Sequence, residues 1–221
     1  MIFKPNLSIL PPPQLRLGPA LDATPGHFTL YGGTALALRF AHRSSVDFDF
    51  FSNRAFDPNE LAAAIPYLDG AERVQVAPNT LKCRVELDGP VLVAFFGGLG
   101  LGQAAPRDRA EGSSVAVASL LDLAGTKVGV VQQRAEARDY LDMDALMRHG
   151  VDLPTALAAG RVVYGRGFNP MITLKALSYF DDVPGLPAEV RDRLIRAVNG
   201  VDPARLPELT PYAGRANGQA P

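Results

Sequence analysis

Cysteine occurs once in this 221-residue chain, at Cys83, tryptophan not at all, and lysine four times, at Lys4, Lys82, Lys127 and Lys175. A single cysteine excludes an internal disulfide framework. Arginine supplies the remaining basic residues, so a lysine inside an apolar segment is an unusual choice, and Lys127 is one. No apolar run approaches the ~20 residues that a membrane helix needs. A mean hydropathy of +0.05 agrees, and a membrane-spanning reading is excluded. The opening Met1-Ile2-Phe3-Lys4-Pro5-Asn6 has no charged region leading into a long apolar one, so no secretory signal is expected and the expected location is the cytoplasm. Charge of one sign is lacking as well. The 22 basic and 23 acidic residues leave a net charge of −1, which offers nucleic acid no global positive field and leaves only a local basic groove open.

What the chain has is apolar content, 47% of its residues, enough to fill a sizeable core. The segment Leu10-Pro11-Pro12-Pro13 reads as a stiff N-terminal arm, and residues 209–221, rich in Gly, Pro, Asn and Ala, as a flexible tail. Between them, β-branched and aromatic alternation predicts strands over 28–31, 46–51, 73–77, 81–87 and 91–96. Helical spacing edged by Pro or Gly predicts helices over 34–41, 58–68, 117–132, 140–148, 154–159, 170–180 and 187–198, with Asp57 as N-cap of the second. The layout is a mixed-sheet α+β half followed by a helical half, divided as 1–112 and 113–208.

The most informative stretch runs from Phe28 to Phe51 and reads strand, Gly-Gly turn, helix, strand. Gly32 and Gly33 at a strand-to-helix junction let the backbone approach an anion, and the N–H groups of a helix start, with Thr34 near the cap, suit a phosphate. On the next strand Asp47 and Asp49 share one face with Cα atoms ~6.5–7 Å apart, while Val46, Phe48 and Phe50 turn to the core. Two carboxylates so placed can hold Mg²⁺ ions that also bridge a triphosphate. Taken alone, the Asp pair equally fits a half-buried strand with a solvated face, and Gly-Gly an ordinary turn. Their ordered combination is what places a phosphate clamp beside a metal site. Arg43, with His42, is placed to orient the Asp pair or a phosphate.

Gly-Gly-Thr-Ala-Leu-Ala-Leu followed by His-Arg-Ser-Ser-Val-Asp-Phe-Asp-Phe-Phe resembles the first motif of the AbiEii/AbiGii-type toxin nucleotidyltransferases, within the DNA polymerase β-like superfamily. Lys127, Arg134, Arg138-Asp139-Tyr140 and Asp142 are similar to the family's Lys…Arg…Arg-Asp-x-x-Asp motif, and residues 175–182 resemble a C-terminal signature of one branch. The resemblance implies a nucleotidyltransferase mixed sheet flanked by helices, with a helical C-terminal part. It implies an Mg²⁺-dependent enzyme moving a nucleotide from an NTP onto RNA such as a tRNA end, opposed by a separate antitoxin protein. Asp47 and Asp49 would hold metal, Gly32, Gly33, Thr34 and Arg43 the nucleotide. Lys127 would neutralise the triphosphate and Asp142 activate the acceptor. Transfer onto a protein side chain and a lapsed member that binds without transferring are the alternatives.

On one continuous helix Lys127 and Asp142 would stand ~22 Å apart, too far to share a ligand. A break near Gly129 and residues 132–134 is therefore expected, with Asp139 capping a second helix. The bland readings are a snorkelling surface Lys127 and a capping-box acid at Asp142. One departure stands out: polymerase β-like catalysis usually has a third carboxylate on a later strand, where this chain has Ala94, and no acid occurs between Asp88 and Asp108. Glu86 is the weak substitute. The glycine-rich residues 97–102 imitate a dinucleotide loop, but Pro106 and Arg107-Asp-Arg follow in place of a helix, so a flexible hairpin is expected there. A hydrolase triad from Ser44 or Ser45, His42 and Asp47 is rejected for want of a nucleophile elbow. Cys83 alternates with Leu81 and Val85 and is expected to be buried.

Overall fold

A computed structural model of the chain describes residues 1–213. The chain divides into two compact units, Met1–Gly100 with Arg107–Ala118, and Leu101–Pro106 with the chain from Ser119 onward. The first unit carries β1 (Ile2–Phe3), α1 (Pro12–Leu17), β2 (Thr29–Tyr31), α2 (Gly32–Phe40), β3 (Asp47–Phe51), α3 (Pro58–Ala64), β4 (Glu72–Ala77), β5 (Thr80–Glu86), β6 (Pro90–Phe96), β7 (Asp108–Ala110) and β8 (Ala116–Val117). These strands form one sheet in the order β1-β7-β8-β2-β3-β6-β5-β4. It is mixed: β3 runs parallel to β6 and antiparallel to β2, while β4, β5 and β6 form an antiparallel meander. The architecture is α+β, a mixed sheet flanked by helices.

Period-two burial builds the sheet's core face from Phe48 and Phe50 on β3, Val91, Val93 and Phe95 on β6, and Leu81 and Cys83 on β5. Phe50 and Phe95 stack at 5.3 Å, and Phe28 meets Phe95 edge-on at 5.1 Å. Each such pair contributes about 0.5–1.5 kcal/mol beyond its buried area. Val46 departs from the expected pattern: it precedes β3 and is 56% exposed. The proline arm departs too, because Pro12, at the first position of α1, has the φ that a helix start requires. Its helix sends Gln14 and Leu17 inward. Asp57 caps α3 as expected, accepting from the Asn59 and Glu60 amides, but α3 stops at Ala64, and a separate 3-10 turn covers Pro66–Leu68. No hairpin forms at 97–102. β6 ends at Phe96, and β7 pairs with β1 and β8 instead.

A buried clamp closes the far side of this sheet. Arg39 donates to Asp108 at 2.9 Å and to the Ala118 carbonyl at 2.8 Å, lies 3.9 Å over the Phe3 ring, and shares Asp108 with the Met1 amino group.

The second unit contains α4 (Leu120–Val130), α5 (Ala137–Arg148), α6 (Leu153–Tyr164), α7 (Pro170–Ala176) and α8 (Ala188–Asn199). The long helix expected from 117 begins three residues later, because Ala116–Val117 pair as β8 and Ser119 caps α4 by accepting from the Asp122 amide. The expected 170–180 helix ends at Ala176. α4 and α6 approach closely through glycine: a Cβ on Gly125 would stand 2.9 Å from the Ala159 backbone, and one on Gly160 2.7 Å from Val128 and Phe168. Gly129, expected to mark a helix break, lies within α4 and makes room for the Tyr164 ring. Of the expected tail, 209–213 are irregular, with the Tyr212 amide donating to Gln103 at 2.7 Å, and 214–221 lie outside the described residues.

Candidate functional site

Gly32, Gly33, Thr34, Arg43, Asp47 and Asp49 fall in the first unit, Lys127 and Asp142 in the second. In the first unit, β2 runs through Tyr31 directly into α2, and Tyr31, the N-cap residue, makes no side-chain hydrogen bond to the first amides of the helix. Gly32 has φ +74°, a left-handed backbone that glycine takes at no steric cost. The same glycine admits a carboxylate: a Cβ there would stand 2.7 Å from Asp49 Oδ2. At Gly33 a Cβ would collide with the Arg43 guanidinium and come within 3.0 Å of Ser45 Oγ. The turn is thus a cradle with Asp49 on one glycine and Arg43 on the other. Thr34, 1% exposed, donates its hydroxyl to the Asp47 carbonyl at 2.5 Å and lies 2.9 Å from Ser45 Oγ. It fastens the start of β3 to the start of α2, and Ser45, no member of a hydrolase triad, completes that fastening.

Asp47 and Asp49 alternate with buried Phe48 on β3 and share the polar face of the sheet. Asp47 Oδ1 is a buried oxygen with no hydrogen-bond partner. Such an oxygen is costly unless something positive meets it. A divalent cation at this carboxylate pair fits that need. Among the described residues no group of three or more His, Cys, Asp or Glu could hold a metal. The register shows why: Asp49 pairs with Ala94 across β3 and β6, and Ala94 pairs in turn with Lys82 on β5. Glu86, the substitute acid, pairs with Pro90 at the far end of β5 and is exposed.

Gly32→Ala is expected to cost about 1–2 kcal/mol from the left-handed backbone alone and to push the Asp49 carboxylate off the turn. A lower urea midpoint would register the cost. Gly26→Ala, with no heavy atom within 4 Å of the added carbon, is the control.

In the second unit the expected break between Lys127 and Asp142 is present, with α4 ending at Val130 and α5 starting at Ala137. Lys127, 5% exposed, places its ammonium 2.7 Å from Asp139 Oδ1 and 2.5 Å from Asp142 Oδ2, both carboxylates wholly buried. It is no snorkelling surface lysine. Asp139 is not the cap of α5: that position belongs to Glu136, and Asp139, in the first turn, receives Arg134 Nε at 2.7 Å. Asp142 is not a capping-box acid either, since it lies a turn deeper in the helix. Burial by itself would raise the Asp139 carboxyl, but the hydrogen bond from Arg134 and the charge of Lys127 outweigh it and hold the group below the ordinary carboxylate range. Arg138 pairs with Glu136 at 2.6 Å. The cluster therefore ties the end of α4 to the start of α5 by charge.

A family model described as the nucleotidyl transferase AbiEii toxin of type IV toxin–antitoxin systems matches residues 20–203. An uncharacterized protein of Aquifex aeolicus (strain VF5) is 32% identical over 158 residues, which is 70% of this chain and 74% of that protein. Among solved structures, MenT4, a nucleotidyltransferase toxin from Mycobacterium tuberculosis H37Rv, has a TM-score of 0.60 at 18% identity, over 86% of this chain and 83% of that one. A protein from H. pylori described as a candidate nucleotidyltransferase has a TM-score of 0.54 at 16% identity, over 84% of this chain and 91% of that one. The two structures share the fold.

Proposed function

Since the chain belongs to the nucleotidyl transferase AbiEii toxin family, we propose that it transfers a nucleotidyl group from an NTP to an acceptor hydroxyl on RNA, such as a tRNA end. The observation that carries this reading is the unpartnered, buried Asp47 Oδ1 on the face it shares with Asp49, beside the glycine turn that opens α2. Asp47 and Asp49 would hold Mg²⁺, whose charge stabilises the negative charge that gathers on the reacting phosphate. Gly32 and Gly33 open α2 with backbone N–H groups that would meet the triphosphate, and Arg43, packed on Gly33, would add a cation at the same turn. The acceptor oxygen bonds to the α-phosphorus, the bond from that phosphorus to the β-phosphate bridging oxygen breaks, and pyrophosphate leaves with the electron pair. The family's Lys…Arg…Arg-Asp-x-x-Asp motif supports Asp142 as the group that would take the acceptor proton and Lys127 as a counter-charge to the triphosphate. The buried ion pair between these two gives them a structural part as well. The family's toxin–antitoxin character supports a cognate antitoxin protein as the partner that restrains the activity.

A second reading is a member that binds nucleotide without transferring it, favoured by Ala94 standing where a third carboxylate would complete the metal site. Incubating the protein with each labelled NTP, Mg²⁺ and total cellular RNA separates the two. Label is expected in RNA. Asp142→Asn is expected to keep NTP affinity within a few fold while transfer falls by about 10²–10⁴-fold, the range for loss of a general base. NTP binding with no label in RNA or protein would establish the second reading, and full transfer by Asp142→Asn would remove that residue from the chemistry.

A further inference from the structure

The polar face of the sheet carries a positive charge for which the motif gives no role. Asp49 and Ala94 are register partners across parallel β3 and β6, and Ala94 and Lys82 are partners across antiparallel β6 and β5. Directly paired residues point to the same side of a sheet. Asp49, Ala94 and Lys82 therefore form one row, with Leu81 and Cys83 turned the other way into the core. Strand spacing puts the Lys82 and Asp49 backbones about 10 Å apart, and between them stands a single methyl group. The Lys82 ammonium is 5.5 Å from the centroid of the Phe96 ring, which lies two residues beyond Ala94 on the same face. That contact keeps the charge over the sheet. Arg84, the next cation on this face of β5, is paired with Glu72 at 2.6 Å.

We propose that Lys82 is a phosphate ligand of the nucleotide, its ammonium meeting a triphosphate oxygen on the polar face where Lys82, Ala94 and Asp49 form one row. The inference rests on the nucleotidyltransferase reading and deepens it. The chemical ground is charge balance. A triphosphate and two carboxylates together carry far more negative charge than one divalent cation offsets. A third carboxylate on β6 would call for a second cation, whereas a small side chain there with a lysine on the next strand supplies fixed positive charge in its place. A lysine ammonium is a compact point charge suited to a phosphate oxygen, and its hydrogen bond to that oxygen is charge-assisted.

Calorimetric titration with ATP, GTP, CTP and UTP in turn, in Mg²⁺, tests this with the wild type, Lys82→Met and Lys82→Arg. The NTP that the wild type binds is expected to bind Lys82→Met at least about tenfold more weakly, the loss of one charge-assisted hydrogen bond. Lys82→Arg is expected to recover part of that loss, and both variants to melt close to the wild type. Undiminished binding by Lys82→Met overturns the inference and leaves the nucleotidyltransferase reading standing. Equal weakening in both variants together with a lowered melting temperature also overturns it, because that pattern belongs to packing over Phe96. A wild type that binds none of the four NTPs overturns the nucleotidyltransferase reading and the inference with it.

Discussion

Asp49→Asn is expected to abolish Mg²⁺-dependent NTP binding and nucleotide transfer while the melting temperature stays near that of the wild type. The substitution keeps the shape of the side chain against Gly32, where a Cβ would lie 2.7 Å from its Oδ2, and removes the charge alone. Backbone pairing of Asp49 with Tyr31 and Ala94 is independent of the side chain, so β3 keeps its register. A hard divalent cation is bound through anionic oxygen, and a neutral amide in place of one of two carboxylates halves the charge that the site offers it. Calorimetry in Mg²⁺ and in chelator, beside a thermal melt, reads both halves of the expectation. Metal-dependent binding that survives the change would remove Asp49 from the metal site.

Lys127→Met is expected to lower stability by about 3–5 kcal/mol at neutral pH, the cost of leaving buried charge uncompensated. Its ammonium meets two wholly buried carboxylates, and methionine fills a similar volume without supplying charge. For a chain of this length that loss corresponds to a melting temperature lower by roughly 6–20 °C. The sign of the pH dependence follows from Asp139. Its folded carboxyl lies below the ordinary range, so the stability it contributes is fully present above the unfolded carboxylate value, about 4, and is lost as pH falls through the folded value. Removing Lys127 takes away part of what lowers that carboxyl. The gap between wild type and variant should therefore narrow as pH falls below about 4. Urea unfolding at pH 7 and pH 3 measures it. A penalty under about 1 kcal/mol at pH 7 is what an exposed ion pair gives, and would show that the ammonium is not held as described.

Much of this was legible in the sequence because it is local. Phe48 and Phe50 alternate with Asp47 and Asp49, and a period of two needs no partner strand to be read. Asp57 before Pro58 announces a helix start by its own chemistry. The separation of Lys127 from Asp142 could be judged too long for one helix by arithmetic alone. The errors share an origin. Ala116–Val117 look helical in a line of apolar residues, yet they pair as a strand because Leu30 lies beside Val117. Gly129 looks like a breaker and is a contact, since only the fold brings Tyr164 against it. Asp139 reads as a cap until Lys127 and Arg134 are seen to converge on it.

The sequence by itself determined the order of the elements from β2 to β6, the shared face of Asp47 and Asp49, the glycine pair that opens α2 and the family to which the chain belongs. Backbone geometry and side-chain periodicity act over a few residues, and such patterns persist whatever the remainder of the chain does. Only the tertiary structure decided that Asp49, Ala94 and Lys82 stand in one row, that Thr34 and Ser45 fasten β3 to α2, and that Lys127 is buried between Asp139 and Asp142. Those relations depend on strand register and helix packing, which are set by the burial of the whole apolar face at once and are written at no single position.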